Sequence, residues 1–233
     1  MPLSQENVFT KIRDGLVHIG QAKEAGKTEL EKWLGSGFFV DESCTVATAK
    51  HLFNQADRNR LLIRFQLPKE RNRVRTVIAK ILYEYKSKDI AFLMVQMPDG
   101  QPCNLGDLRP LPLTRQISPD SLVGEAVLIA GFPVLGPDQL DIPIVRQGII
   151  SSAEVTDVDG VPQLLLDLTG VPGFSGSPVV FERTGKVIGI VFGPGLINRS
   201  SNFEWATQIT QSDYDLVIEL SNVMRSINKR RED

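Results

Sequence analysis

Short apolar runs, broken every few residues by turn formers, dominate the chain. Leu16 to Gly20, Trp33 to Val40, Thr45 to Thr48, Leu61 to Leu67, Val74 to Leu82 and Ile90 to Gln96 read as a first set of strands. Glu125 to Ala130, Ile142 to Ser151, Gln163 to Leu168, Val179 to Phe181, Val187 to Phe192 and Phe203 to Ile209 read as a second set. Many short strands with turn signals between them predict an all-β fold, a barrel or a sandwich. Pro98 to Asp120 breaks the pattern, with Pro98, Pro102, Pro110, Pro112 and Pro119 beside Gly100 and Gly106. Proline donates no backbone hydrogen bond, so this stretch is a connector and not a central strand. Near the end, Leu216, Leu220, Val223, Met224 and Ile227 recur at helical spacing, which predicts a C-terminal α-helix over Asp213 to Asn228. Ser212 or Asp213 can cap its start, and Lys229-Arg230-Arg231 suits the negative end of its dipole. The reading is one domain over 1–233: a first β block at about 15–97, the connector at 98–120, a second β block at 121–210 and the helix at 211–229.

Composition removes several function classes. A chain of 233 residues can bury a real core without covalent staples. A formal charge of −2 suggests no nucleic-acid partner and no membrane-surface partner. No run approaches the roughly 18 apolar residues that cross a bilayer. Met1 to Asn7 has neither a basic region nor an apolar segment, so no secretory signal is expected. The two cysteines, Cys44 and Cys103, read as free thiols in a reducing compartment, which makes the expected location cytoplasmic. Arg58, Arg60, Arg64, Lys69, Arg71, Arg73 and Arg75 form a basic cluster. Without interleaved aromatics for base stacking it reads as a solvated hairpin face.

The candidate chemistry centres on Gly173-Phe174-Ser175-Gly176-Ser177-Pro178. A serine hydroxyl is a weak nucleophile until a base takes its proton. The chain holds two histidines. His18 falls inside the first strand pattern and reads as structural. His51 follows the apolar Thr45-Val46-Ala47-Thr48 and is the candidate base. Asp89, at the mouth of the strand beginning Ile90, is the candidate for holding the imidazole in one tautomer. Glycines at 173 and 176 permit a tight backbone with successive N–H groups facing one way, as a main-chain oxyanion hole requires. Ser177 is the rival nucleophile, but Pro178 follows it and it reads as the start of the next strand. No C-x-x-C or H-E-x-x-H occurs, so no metal site and no cofactor are expected.

The order His, Asp, Ser is that of the chymotrypsin arrangement. The segments resemble the trypsin/chymotrypsin-like serine proteases, and most of all their bacterial high-temperature-requirement (Deg-type) branch. Gly35-Ser36-Gly37-Phe38 is similar to its G-S-G-F, Thr48-Ala49-Lys50-His51 to its T-x-x-H and Asp89-Ile90-Ala91 to its D-I/L-A. Gly131-Phe132-Pro133, Gly148-Ile149-Ile150-Ser151 and the Ser175 segment follow in the family's order. The resemblance implies two six-stranded β-barrels with the active site between them. It implies His51 as general base, Asp89 as its orienter, Ser175 as nucleophile, and the N–H groups of Gly173 and Ser175 as the oxyanion hole. By the family's register Thr169 lies at the base of the specificity pocket, with Phe192, Gly193 and Phe203 on its walls. A neutral Thr169 implies a small or medium apolar side chain as the preferred substrate residue.

Two departures shape the expectation. Phe174 replaces the aspartate that locks the oxyanion loop in digestive relatives, and the chain stops after one helix where the Deg branch appends peptide-binding domains. The expected protein is a bacterial, standalone serine endopeptidase acting on a protein or peptide substrate, without nucleic-acid or membrane partners. Latency until an activating partner or a cut orders the loop is a second expectation. A catalytically silent protease fold used for binding, and an acyl hydrolase with the same triad, are the rivals.

Overall fold

Each apolar run that the sequence marks as a strand forms one. The structure, a computed structural model, describes residues 8–66, 74–97, 109–114, 121–133, 142–156, 160–168, 171–193, 203–209, 213, 215, 216, 219 and 220, without the side chains of 154–156, 203 and 204. The strands are β1 (Leu16–Ala22), β2 (Leu30–Phe39), β3 (Thr45–Thr48), β4 (Leu61–Gln66), β5 (Val74–Glu84) and β6 (Ala91–Gln96). After the connector come β7 (Ala126–Gly131), β8 (Ile144–Thr156), β9 (Pro162–Asp167), β10 (Pro178–Phe181), β11 (Val187–Gly193) and β12 (Phe203–Gln208). A short helix, α1 (Val8–Arg13), precedes them and has no counterpart in the expected elements. The strands close into two antiparallel barrels, in the orders β1-β2-β3-β6-β5-β4 and β10-β11-β12-β9-β8-β7. Closure removes the open sheet edges that invite aggregation.

The strands read as continuous apolar runs because many are buried on both faces. Val17, Ile19, Phe39 and Val46 point into the first barrel, with Phe53, Ile63 and Leu93. Their neighbours Leu16, Phe38 and Ala47 point outward, into a seam shared with Leu128, Ala130, Val180 and Ile190 of the second barrel. Ile129, Ile150, Leu164, Leu166, Phe174 and Val191 fill the second barrel. Alternation along a strand therefore separates two cores instead of core and solvent, which puts the mouth of the seam between two rigid walls.

The connector takes part in this seam. Leu111 N–H donates to Phe39 O (2.9 Å), and Thr114 N–H donates to Val187 O (2.9 Å), so the segment crosses from β2 to β11. The free-thiol expectation is corrected at Cys44, which is disulfide-bonded. The other cysteine of the sequence, Cys103, lies outside the described residues. The reducing-compartment argument for a cytoplasmic location therefore loses its premise at Cys44. Of the C-terminal helix, Asp213, Asp215, Leu216, Glu219 and Leu220 are helical, and the rest of it lies outside the described residues.

His18 is structural in this fold. It is 1% exposed, stacked on Trp33 with ring centroids 3.5 Å apart and on Phe132 at 4.8 Å. Burial, and then the charge of Arg64 on the neighbouring strand, lower its pKa from 6.5 to about 3. The unfolded chain thus takes up a proton that the native imidazole refuses. Between those two values the unfolded state binds more protons, so native stability falls as pH drops from 6.5 towards about 3. The loss should be on the order of 5 kcal/mol in total. In His18→Phe the stacked ring is kept and this contribution disappears. Urea unfolding at a series of pH values should give a wild-type-minus-variant difference that rises with pH and levels off above about 6.5. A flat difference would mean that His18 titrates alike in both states.

Candidate active site

Backbone-to-backbone contact between the two glycine-rich motifs builds the site. Ser36 N–H donates to Ser175 O (2.8 Å), which lays the 173–177 loop of the second barrel on β2 of the first. The approach is so close that a Cβ at residue 35 would lie 2.7 Å from Ser175 O, and one at residue 176 would lie 2.0 Å from Ser36 O. Gly176 also has φ of +87°, a left-handed conformation. Gly176→Ala meets both penalties, and should cost about 2–5 kcal/mol. Thermal unfolding should show this as a midpoint lowered by roughly 10 °C; an unchanged midpoint would show that the loop can lift off β2 at little cost.

His51 lies in a short 3-10 turn, Lys50–Phe53, directly after β3. Asp89 lies directly before β6, which pairs with β3 through Thr48 and Ala91. Strand pairing thus delivers both side chains to the same end of the first barrel. Both Asp89 carboxylate oxygens are used on His51. Oδ1 accepts the His51 backbone N–H (2.8 Å), and Oδ2 lies 2.6 Å from Nδ1. A carboxylate at Nδ1 fixes the tautomer with the proton there, leaving Nε2 as the basic nitrogen. The His51 side chain is 35% exposed, open enough to exchange a proton with a bound molecule.

The Asp89 loop has anchors that the sequence did not announce. Lys50 Nζ donates to Tyr85 O (2.8 Å) and Lys86 O (3.2 Å). Lys88 Nζ donates to both oxygens of the buried Asp213 carboxylate (2.7 and 2.8 Å). Burial, and then a hydrogen bond to Asp213, push the Tyr85 hydroxyl pKa up. Lys88 and Asp213 are 125 positions apart, and no local pattern marks such a pair.

The serine loop is two tight turns in series. Phe174 N–H donates to Val171 O (3.0 Å), and Ser177 N–H donates to Phe174 O (2.8 Å). Pro172 followed by Gly173 at φ +97° makes the first a type II turn. Ser175 followed by Gly176 at φ +87° repeats the scheme. Gly176 N–H donates to Val191 O (2.7 Å). Among the described residues, the N–H groups of Gly173 and Ser175 donate no hydrogen bond, whereas those of Phe174, Gly176 and Ser177 all do. Nor does the Ser175 side chain form one with His51. Ser175 is part-exposed, while Ser177 is fully buried with its Oγ unpartnered.

The pocket residues divide. Phe192 and Gly193 end β11 and are part-exposed, with Gly193 paired to Trp205. Thr169 and the side chain of Phe203 lie outside the described residues. In the basic cluster, Arg58 pairs with Glu84 (2.6 Å) and Arg60 with Asp57 and Glu31 (both 2.9 Å), as on a solvated face, whereas Arg64 is half-buried over the Trp33 ring, 5.6 Å from its centroid. Lys69, Arg71 and Arg73 lie outside the described residues. No group of side chains suited to a metal ion occurs among the described residues.

Two closed six-stranded barrels, with a histidine–aspartate pair on the first and a glycine-rich serine loop of the second laid on its β2, define a class. The family model for the trypsin-like peptidase domain matches residues 35–190, and the chain belongs to that family of serine endopeptidases. Among particular relatives, it is 32% identical over 168 residues to a probable periplasmic serine endoprotease, DegP-like, of Halomonas elongata. That match covers 71% of this chain and 30% of the relative. In fold it is similar to the HtrA-type protease AlgW, solved with a decapeptide, with a TM-score of 0.67 and 18% identity over 94% of this chain and 67% of that one. The serine endoprotease from Yersinia pestis gives a TM-score of 0.65 and 21% identity over 95% of this chain and 68% of that one.

Proposed function

We propose that this chain is a serine endopeptidase in which Ser175 attacks the scissile carbonyl, His51 takes and returns its proton, and Asp89 holds His51. The observation that carries the reading is the double use of Asp89 on His51, through the backbone N–H and Nδ1. That arrangement supports Nε2 as the base for Ser175, which is part-exposed. The proton leaves Ser175 Oγ for Nε2 as the C–O bond forms, and passes to the amine as the peptide C–N bond breaks. The acyl-enzyme is then hydrolysed by water through the same base. The N–H groups of Gly173 and Ser175, which donate to nothing among the described residues, are left for the oxyanion. The substrate is a protein or peptide, entering beside Phe192 and Gly193, with Thr169 and Phe203 as further proposed pocket residues.

Latency, if the enzyme has it, acts at the Pro172–Gly173 peptide. Flipping that peptide converts the type II turn to type I, takes Gly173 to a φ of about −90° and turns its N–H away. The type II form described above supports activity without a partner, and hydrolysis of casein by the purified chain would exclude a required activator. A fluorophosphonate probe tests the assignment itself: it should label wild type on Ser175, and Ser175→Ala should take no label. An adduct on Ser177 would move the nucleophile to that residue, and no adduct on wild type would overturn the reading in favour of a silent binding module.

A further inference from the structure

We propose that Ser36 is a positioning residue that sets the oxyanion-binding loop from the opposite barrel, an inference that rests on the proposed endopeptidase site. Every polar group of Ser36 is engaged, and the side chain is fully buried. Its Oγ–H donates to Gly173 O (2.8 Å) and its N–H to Ser175 O (2.8 Å). In return its Oγ accepts Phe132 N–H (2.8 Å) and its carbonyl accepts the Thr48 hydroxyl (2.6 Å).

The two carbonyls that Ser36 holds belong to the residues whose N–H groups serve the oxyanion. Each is clamped at both ends of its peptide plane. The 173–174 peptide has its carbonyl on Ser36 Oγ and its N–H on Val171 O. The 175–176 peptide has its carbonyl on Ser36 N–H and its N–H on Val191 O. With these planes fixed, the 174–175 peptide that carries the Ser175 N–H is held from both sides, and the 172–173 peptide that carries the Gly173 N–H is held from its Gly173 side. Without an aspartate at 174 to lock the loop, Ser36 supplies the lock from β2. Thr48 and Phe132 keep it in place: Thr48 by gripping its carbonyl, Phe132 by occupying the Oγ lone pair so that the hydroxyl proton turns to Gly173. Small neighbours permit the geometry, since a Cβ on Gly131 would lie 2.8 Å from Ser36 Oγ.

Ser36→Ala deletes the Oγ bond and spares the backbone one. A steady-state assay on a peptide substrate should show kcat lowered about 10–100-fold with KM within about twofold, somewhat less than the loss of a whole oxyanion donor. Hydrogen–deuterium exchange of the 171–177 segment, which needs no catalytic activity, should speed up at least about tenfold at the Phe174 and Gly176 amides. Ser36→Cys, whose S–H is a weaker donor, should fall between wild type and Ser36→Ala on both measures. A folded Ser36→Ala with unchanged kcat and unchanged exchange would overturn the proposal, and so would a loss expressed in KM alone. If Ser36→Ala does not fold, Ser36→Cys decides by the same two readouts, and wild-type values in both overturn it. Faster exchange in the variant, with a wild type that neither hydrolyses peptide nor takes the probe, upholds the clamp and refutes the endopeptidase reading instead.

Discussion

Ser175→Ala and His51→Ala should each lower kcat by about 10⁶, and the double variant should be no worse than either. The near-equality follows from the step itself. In the proposed step Ser175 Oγ attacks only as its proton leaves for His51, so removing either partner cancels the contribution of the other. KM should hold within a fewfold, because neither side chain belongs to the proposed pocket walls at Phe192 and Gly193. His18→Phe is the matched control. It alters the other histidine of the chain, buried between Trp33 and Phe132, and should leave kcat within a fewfold. Single-turnover assays with a chromogenic peptide would measure all four variants. Residual activity near 1% of wild type in Ser175→Ala would place the nucleophile elsewhere. An inactive but folded His18→Phe would mean that the base had been assigned to the wrong histidine.

Asp89→Asn should fold and lose about 10⁴ in kcat near neutral pH. Both oxygens of Asp89 accept from His51, at the backbone N–H and at Nδ1. An amide has one acceptor and one donor end, so one of these contacts must change. The backbone N–H cannot give up its proton, and it keeps the oxygen. The amide NH₂ then faces Nδ1, which can receive it only as a bare nitrogen. The proton moves to Nε2, where the imidazole can no longer accept from Ser175. Nitrogen NMR of the ring would show the tautomer directly, with Nε2 protonated in the variant and Nδ1 protonated in wild type. Activity within tenfold of wild type would indicate that Asp89 contributes packing alone.

Much of this arrangement is legible in the chain. Among the described residues the twelve strands sit on the apolar runs that turn residues bound, because each buries at least part of its length in a core. β8 runs past its expected end at Ser151 to Thr156, since backbone pairing with β9 continues where the apolar pattern stops. The glycines of 173–177 also announce themselves: V-P-G-F and F-S-G-S are type II turn sequences whatever surrounds them. The His51–Asp89 pair was open to inference because strand pairing of β3 with β6 converts two distant motifs into neighbours.

What the sequence withheld lies in contacts between segments far apart along the chain. Ser36 stands directly between Gly35 and Gly37, in a glycine-rich setting like that around Ser175, and that was the available signal for its importance. Its partners, however, sit 96 and 137 positions away and depend on how the barrels meet. The Lys88–Asp213 anchor and the return of the connector along β2, which accompanies the bonded state of Cys44, are of the same kind. Propensity and periodicity are local properties, so the sequence by itself determined the strands, the turns and the residue types able to do acyl-transfer chemistry. The tertiary structure alone decided which backbone groups those residues hold, because a hydrogen bond of 2.8 Å between two barrels exists only after both have closed and packed.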